Sequence, residues 1–502
     1  MTKKVIYGSP GCGKTTRLIK IVAEAVAAGT PIERIGFMSH TKKGAQEALT
    51  RTCTTLGINA DDAPWFTTIH SACYRLNGVA KAQVVTWRDY RAFADWIGTT
   101  VRNPSGDSEE SLRDADEDDG GCALRIGAVA RNACRDLKEV WEEYQGVSWE
   151  VCEFINRGWA QWKENMHKVD FTDMLEQVTT SPALDLLILD EAQDMPQLQW
   201  RAAEVLGATA HQIIAAGDDD QAIFGFTGAT HEDFVSFSGD CEVLEHSYRL
   251  PSAVFDAAND ILLNIHDRVP KKWEAHSVGG SVTTVADVDD LPLDAGDWML
   301  IARNNYLLKR YEEHLIERGL LFRSKEGISL DQDLVRAVKA QINLSSGGTE
   351  TPTAIDNMLS FMAVGIQYKR GARKRVLDGS TPLNSSQLVT QYGVGCDAFL
   401  HHWFDVFTRA DAAMVQYMRR CLANKEQVTG TPRIFVGTIH AVKGGEADNV
   451  AVLLDTSKRS TTAMDNGGCD ADNEWRCLYV ATTRAKKNLY YVEQQGRYGY
   501  AT

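Results

Sequence analysis

The sequence predicts an α/β protein built on parallel sheet, and three stretches carry that prediction. Gly8-Ser9-Pro10-Gly11-Cys12-Gly13-Lys14-Thr15 follows the short apolar run Val5-Ile6-Tyr7 and precedes an amphipathic segment. Leu186-Leu187-Ile188-Leu189 ends in Asp190-Glu191. Gln212 to Gly217 is another apolar run, and Asp218-Asp219-Asp220-Gln221 comes directly after it. Each reads as a buried strand with polar residues at its carboxyl end, where doubly wound sheets bind ligands.

Taken in order, the first stretch fits G-x-x-x-x-G-K-[ST], the phosphate-binding loop. Its glycines let backbone N–H groups turn inward, and the following helix N-terminus adds positive potential. Lys14 would neutralise β- and γ-phosphates and the Thr15 hydroxyl would bind Mg²⁺. The helix is predicted over 14–28, with Leu18, Ile21, Val22 and Ala25 on one face and Gly29 as its stop. A second strand is predicted over 35–39, leading through His40 to a helix that ends at Arg51. A third is predicted over 66–71. Ser39, His40, Thr68 and His70 thereby become candidate ligand contacts at strand ends.

Residues 77–165 change character and read as a helical insertion rich in tryptophan (Trp87, Trp96, Trp141, Trp149, Trp159, Trp162), expected to be core. Within it, 107–119 holds eight acids against Arg113 and reads as a solvated linker. The strand at 186–189 then delivers two adjacent carboxylates. One suits holding Mg²⁺ and the other activating water. Like charges side by side in a partly buried site favour a cation between them. After the next strand, Gln221 is placed to sense a terminal phosphate, with Phe224 and Phe226 as an aromatic platform nearby.

The 502 residues accommodate about two to four domains. The net charge of −15 argues against nucleic acid as a partner, but the run 107–119 alone carries −7 (eight acids, one base), and local patches govern binding. No apolar run approaches the ~18 residues of a membrane span. Met1-Thr2-Lys3-Lys4 leads straight into the first strand, leaving no room for a signal peptide. Eleven cysteines without a C-x-x-C pair read as reduced thiols. The expected setting is cytoplasmic.

With these stretches in view, the chain resembles superfamily 1 DNA helicases of the UvrD/Rep/PcrA type. Gly8–Thr15 corresponds to motif I, Phe37–Arg51 to Ia and Phe66–Leu76 to Ib. Asp170–Leu175 is similar to the segment before motif II. Leu187–Asp194 corresponds to motif II, Gly217–Ala229 to III, Leu244–Arg249 to IV and Leu300–Asn305 to IVa. Val436–Glu446 corresponds to V and Trp475–Lys486 to VI.

The resemblance implies two RecA-like P-loop motor domains, each with a mainly helical insertion. The first domain would cover 1–76 and 166–246, with its insertion at 77–165. The second would cover 247–344 and 430–502, with a reduced insertion at 345–429.

By the same resemblance, Lys14, Asp190, Glu191, Gln221, Arg249 and Arg484 would be catalytic. Gly8 to Thr15, Thr16, Arg17, Tyr248 and Glu446 would hold ATP, Tyr248 stacking on adenine and Glu446 near the ribose. Thr15 and Asp190 would bind Mg²⁺. Only seven residues precede Gly8 and none is Gln, so base recognition would rest on Tyr248 and Arg17. Single-stranded DNA would touch Ser39, His40, Thr68, His70, Phe224, Phe226, Thr438 and His440. Tyr368-Lys369-Arg370-Gly371-Ala372-Arg373-Lys374-Arg375 would be a strip of phosphate contacts.

The implied activity is ATP-dependent 3′→5′ translocation on single-stranded DNA and unwinding at single-strand/duplex junctions, by a monomer or weak oligomer. Three alternatives stay open: a translocase that displaces proteins without unwinding, a nucleotide-gated interaction subunit, and a motor of opposite polarity.

Overall fold

The computed structural model describes residues 1–101, 118–144, 146–428 and 430–500. The expected linker 107–119 therefore falls outside the described residues up to 117. Asp118 accepts a hydrogen bond from the Gly121 amide (2.7 Å) and caps the helix Asp119–Asn132.

Six strands form the first sheet: β1 (Thr2–Gly8), β2 (Ile35–Ser39), β3 (Phe66–Thr67), β4 (Leu186–Asp190), β5 (Gln212–Gly217) and β6 (Asp240–Leu244). All pair in parallel, in the order β3-β2-β4-β5-β1-β6. Their side chains alternate between two cores. Val5, Tyr7, Leu187, Leu189, Ile213 and Ala215 face one core. Ile6, Leu186, Ile188, Ile214 and Ala216 face the other, beneath the helix Lys14–Ala27. Both faces are covered, so the strands read as continuous apolar runs. Register sets Ser39 beside Asp190 and Tyr7 beside Gly217, which gathers the carboxyl ends of β1, β2, β4 and β5 at one edge.

The third predicted strand is shorter than the sequence suggested. Only Phe66 and Thr67 pair with β2. The Thr68 hydroxyl accepts from the Ser71 amide (3.2 Å), and Ile69–Leu76 is a helix. The N-cap interaction overrides the β-branched, strand-like local pattern.

A second sheet contains β7 (Ser281–Val285), β8 (Trp298–Ala302), β9 (Phe322–Ser324) and β10 (Gly327–Ile328). After a small ribbon of β11 (Thr349–Glu350) and β12 (Leu383–Asn384), it resumes with β13 (Ile434–Thr438), β14 (Ala447–Leu453) and β15 (Ala485–Val492). Its order is β10-β9-β13-β8-β14-β15-β7, parallel except for β10 against β9. Ala447 pairs with Ala485, which sets the preceding residues Glu446 and Arg484 at one edge.

The first insertion consists of the helices Trp87–Ile97, Asp119–Asn132, Leu137–Tyr144 and Trp149–Asn165 around their own core. Phe93 is fully buried there, edge-on to Trp159 (5.0 Å between centroids), and Trp159 stacks on Trp162 (5.4 Å). Trp141 and Trp149 are half-buried. Trp87 and Trp96 depart from the core expectation and stand about half exposed. The insertion is tied to the first sheet's helices by buried charge. The Lys163 ammonium contacts Asp170 (2.5 Å) and Asp173 (2.6 Å), and Arg131 joins the same two carboxylates.

The second insertion begins earlier than expected. The helix Gln332–Ser345 contributes Leu334, Val335, Val338 and Leu344 to the core formed with Ile355, Met358, Leu388 and Trp403. It therefore packs with the insertion, and the change of core falls near 329. Two of the five basic residues of the strip are engaged within the insertion. Arg373 forms two contacts with Asp356 (2.6 and 2.9 Å), Arg375 donates to the Gln391 and Tyr392 carbonyls, and Tyr368 is buried. Lys369, Arg370, Lys374 and Arg375 are exposed. Among the described residues, no helix is long and apolar enough to cross a membrane.

Phe93→Ala should lower the unfolding free energy of the first insertion by about 3–5 kcal/mol, the cost of a deep aromatic cavity. Urea denaturation followed by tryptophan fluorescence measures it. A loss under ~1 kcal/mol would mean that this cluster is not the insertion's core.

Candidate nucleotide cleft

The carboxyl edge of the first sheet faces the Glu446/Arg484 edge of the second across a cleft of about 760 Å³. The phosphate loop forms one wall. Gly11 and Gly13 adopt left-handed φ of 74° and 79°, which glycine takes without strain. A Cβ on Gly11 would lie 2.4 Å from the Arg249 Cβ, so this glycine also permits the opposite wall to approach. The Lys14 ammonium donates to the Gly8 carbonyl (2.7 Å), curling the side chain back over its own loop. Burial lowers the Lys14 pKa, but charge on Cys12, Glu191, Asp218 and Asp190 outweighs it, so the ammonium is held above its ordinary value.

The Thr15 hydroxyl donates to Asp190 (3.2 Å), bringing together the two residues expected to bind Mg²⁺. Asp190 is buried, and burial together with the neighbouring Glu191 pushes its carboxyl up to about 7. A carboxylate pair this short of positive charge fits a divalent cation, with the Thr15 hydroxyl as a further oxygen donor. Glu191 differs. Burial raises its pKa, but Lys14 and Lys443 outweigh that and hold it below the ordinary value, so it is ionised at neutral pH. Its backbone is left-handed (φ 55°), and the Gln193 amide donates to its carboxylate (2.8 Å). A non-glycine residue in that conformation costs of order 1 kcal/mol and signals a position fixed by its surroundings.

The second wall brings the arginines. Arg249 pairs with Glu446 (2.7 Å), and Arg484 donates to the Gln221 side chain (3.0 Å). Arg484 is buried, and burial plus the nearby Arg249 push its guanidinium down to about 9. Two neighbouring guanidiniums, one buried and one half-buried, suit an anion, which would relieve their repulsion. Tyr248 is exposed beside Gly13 and offers a ring face at the cleft mouth.

Of the residues read as nucleotide contacts, Pro10, Gly11, Gly13, Lys14, Thr15, Thr16, Tyr248 and Glu446 line the cleft. Gly8, Ser9 and Cys12 lie behind the loop, Cys12 against Gly8. Arg17 is directed elsewhere. Its guanidinium is held by Glu242 on β6 (2.8 and 3.2 Å), a contact that local sequence does not announce.

The residues read as DNA contacts divide into two groups. His40, Phe224, Phe226 and His440 form one aromatic cluster with centroid distances of 5.2–5.9 Å, and all but Phe226 line the cleft. Burial lowers the His40 and His70 pKa values to about 4, so both imidazoles are neutral. His70 lies apart from the phenylalanines of the cluster, edge-on to the exposed Phe171 (6.0 Å). Ser39, Thr68 and Thr438 are buried at element ends, and the Thr68 and Thr438 hydroxyls accept amide hydrogen bonds there.

Several groups went unread in the sequence. The Lys443 ammonium crosses from the second wall to Asp194 (2.5 Å) and to the Gln221 carbonyl, and lies 5.1 Å from the Phe224 ring centre. The Ser247 hydroxyl donates to the Pro10 carbonyl (2.8 Å), and the Tyr248 amide to the Gly11 carbonyl (2.8 Å). Lys443 lay inside a recognised stretch, and its charge among small residues was the available signal. Asp218, Asp219 and Asp220 cluster as metal ligands would, but Lys271 and Arg268 already occupy their oxygens.

Comparison with known proteins matches residues 1–242 to the UvrD/REP helicase N-terminal domain and residues 411–495 to the UvrD-like helicase C-terminal domain. The chain is 24% identical over 312 residues to an ATP-dependent DNA helicase PcrA of Staphylococcus epidermidis. It is 23% identical over the same length to PcrA proteins of Staphylococcus aureus. These alignments cover 55% of this chain and 40% of each relative.

Asp190→Asn should stabilise the protein in EDTA, and increasingly so as pH rises from about 4 to about 7. A raised carboxyl makes the native state bind the proton that the unfolded state has released, so wild-type stability falls through that window. The difference should reach about 1–3 kcal/mol near neutrality, and Mg²⁺ should stabilise the wild type alone. Thermal unfolding across pH, with and without Mg²⁺, measures both.

Proposed function

Because the chain belongs to the UvrD/REP helicase family, we propose that it is an ATP-driven DNA motor, translocating 3′→5′ on single-stranded DNA and unwinding duplex at junctions. The observation that carries this reading is the composition of the cleft. Lys14, Asp190 and Glu191 on one sheet face Arg249 and Arg484 on the other, so one bound anion would engage both.

Thr15 and Asp190 would hold Mg²⁺, which when bound supplies positive charge at the phosphate oxygens. Lys14 would leave the Gly8 carbonyl for a phosphate. Glu191, ionised and oriented by Gln193, would accept the proton of the attacking water. Gln221 would orient that water or the terminal phosphate. Arg249 and Arg484 would offset the charge that develops in the transition state, which is where preorganised donors accelerate most. Tyr248 would stack on the base.

The arginines sit on the far wall, so closure of the cleft depends on the triphosphate, and its loss lets the walls part. The aromatic cluster spans the same two walls through Phe224 and His440. Opening and closing would then alter how bases stack there, which converts hydrolysis into movement along a strand.

Lys14→Ala and Arg484→Ala should each reduce DNA-stimulated ATP hydrolysis by about a hundredfold or more. A steady-state assay with single-stranded DNA measures this, and unchanged rates would defeat the reading. Duplexes with a 3′ or a 5′ tail test direction, and only the 3′-tailed substrate should unwind. Displacement of a bound protein without unwinding would favour a stripping translocase. Slow, DNA-independent hydrolysis would favour an interaction subunit.

A further inference from the structure

The acidic turn after β5 is buried without exception. Asp218, Asp219 and Asp220 have no exposed surface. Three carboxylates in such a place demand cations, and both come from one distant segment. The Lys271 ammonium lies 2.9 Å from Asp218 and 2.8 Å from Asp220, and it also contacts Asp219. Arg268 embraces Asp220 with two hydrogen bonds of 2.7 Å, and the Val269 amide donates to Asp219 (2.7 Å). Lys271 is itself buried, at 1% exposure, and does not line the nucleotide cleft.

The segment 266–273 is also fastened on its other side. Asp472 accepts from the His266 and Asp267 amides (3.1 and 2.8 Å), and Arg476 donates to the Asp267 carbonyl. Asp472 and Arg476 belong to the helix Gly468–Thr482, which leads directly into Arg484. The strap therefore joins the turn that carries Gln221 to the helix that leads into Arg484.

Asp218 is the junction of this network. One of its carboxylate oxygens faces Lys271, and the other accepts from the Gln221 amide (2.7 Å). Gln221 in turn receives Arg484 (3.0 Å). The Asp218 backbone amide donates to Gln193 (3.1 Å), whose amide group holds Glu191. Asp218 thus orients two groups that line the cleft, Gln221 and, through Gln193, Glu191, and the charge that meets Asp218 is Lys271.

We infer that Lys271 is a positioning residue for the terminal-phosphate site: through Asp218 it sets Gln221 against Arg484 and steadies Glu191, without touching nucleotide. Asp219 and Asp220 balance charge around the strap and lie off this route. The inference rests on the cleft's being a nucleotide site, as proposed above. It separates Lys271 from Arg268, whose guanidinium meets only Asp220 in the turn.

The test measures affinity for a non-hydrolysable triphosphate and for the diphosphate, by fluorescence of labelled nucleotides, and hydrolysis alongside. Lys271→Met combined with Asp219→Asn keeps the buried charge balanced. The wild type should prefer the triphosphate, and the double variant should lose about tenfold or more of that preference while binding diphosphate as before. Its kcat should fall by about a hundredfold, since small misplacements of a reacting constellation are that costly, and its KM should rise in step with the weakened triphosphate binding. Arg268→Gln should lower thermal stability and keep the triphosphate preference. A double variant that retains the preference, or that does not fold, would overturn the inference, as would a wild type that shows no preference. A wild type that prefers triphosphate yet hydrolyses none would instead overturn the motor reading, leaving the affinity ratio to judge Lys271.

Discussion

The contact between the phosphate loop and the segment Ser247–Arg249 is the constraint on which the cleft depends. Pro10 and Gly11 have no sheet partner for their carbonyls, and the Ser247 hydroxyl and Tyr248 amide supply donors at 2.8 Å. The approach is so close that only hydrogen fits on the inner side of Gly11. The glycine therefore serves two purposes: it turns the loop inward toward phosphate, and it lets the opposite wall come near enough for Arg249 and Arg484 to share the space. Without that contact the two sheets would each be complete, but their charges would not meet.

Charge balance accounts for most of what surrounds the contact. The first wall carries more buried carboxylate than its own cations satisfy, so Asp190 is pushed toward neutrality while Lys14 is held charged. The second wall carries the reverse imbalance, and Arg484 is pushed down. Buried charges of this kind are a poor source of stability, since desolvation offsets much of their attraction. They are suited to holding a ligand that brings both signs, a phosphate chain with its cation. The strap 266–273 meets the acidic turn from outside the cleft, and Lys443, on the cleft lining, meets Asp194 and the Gln221 carbonyl.

Much of the site was legible because its parts are local. The loop needs glycines and a lysine at set spacing, and those are contiguous from Gly8 to Thr15. The carboxylates need a buried strand that ends in acid, and Leu186 to Glu191 displays one. Thr68 was misread for an equally local reason: a β-branched run looks like strand until its hydroxyl caps a helix. The boundary near 329 was misplaced because the helix Gln332–Ser345 has an apolar face that suits either a sheet or another helix, and sequence periodicity does not say which one covers it.

The sequence by itself determined the principal strands of the first sheet, the phosphate loop, and the paired carboxylates at the end of β4. These follow from periodicity of 2 or 3.6 and from the chemistry of short motifs, both of which operate over a few residues. Tertiary structure alone decided which charges meet: Arg17 with Glu242, Lys443 with Asp194, and Lys271 with the acidic turn. A lysine or arginine carries no local mark of its partner, since electrostatic attraction acts through space and a folded chain brings together residues hundreds apart. The contact of Gly11 with Tyr248 and Arg249 belongs to the same class. Its two halves are readable separately, and only the packing of one sheet's loop on the other sheet's edge makes them one cleft.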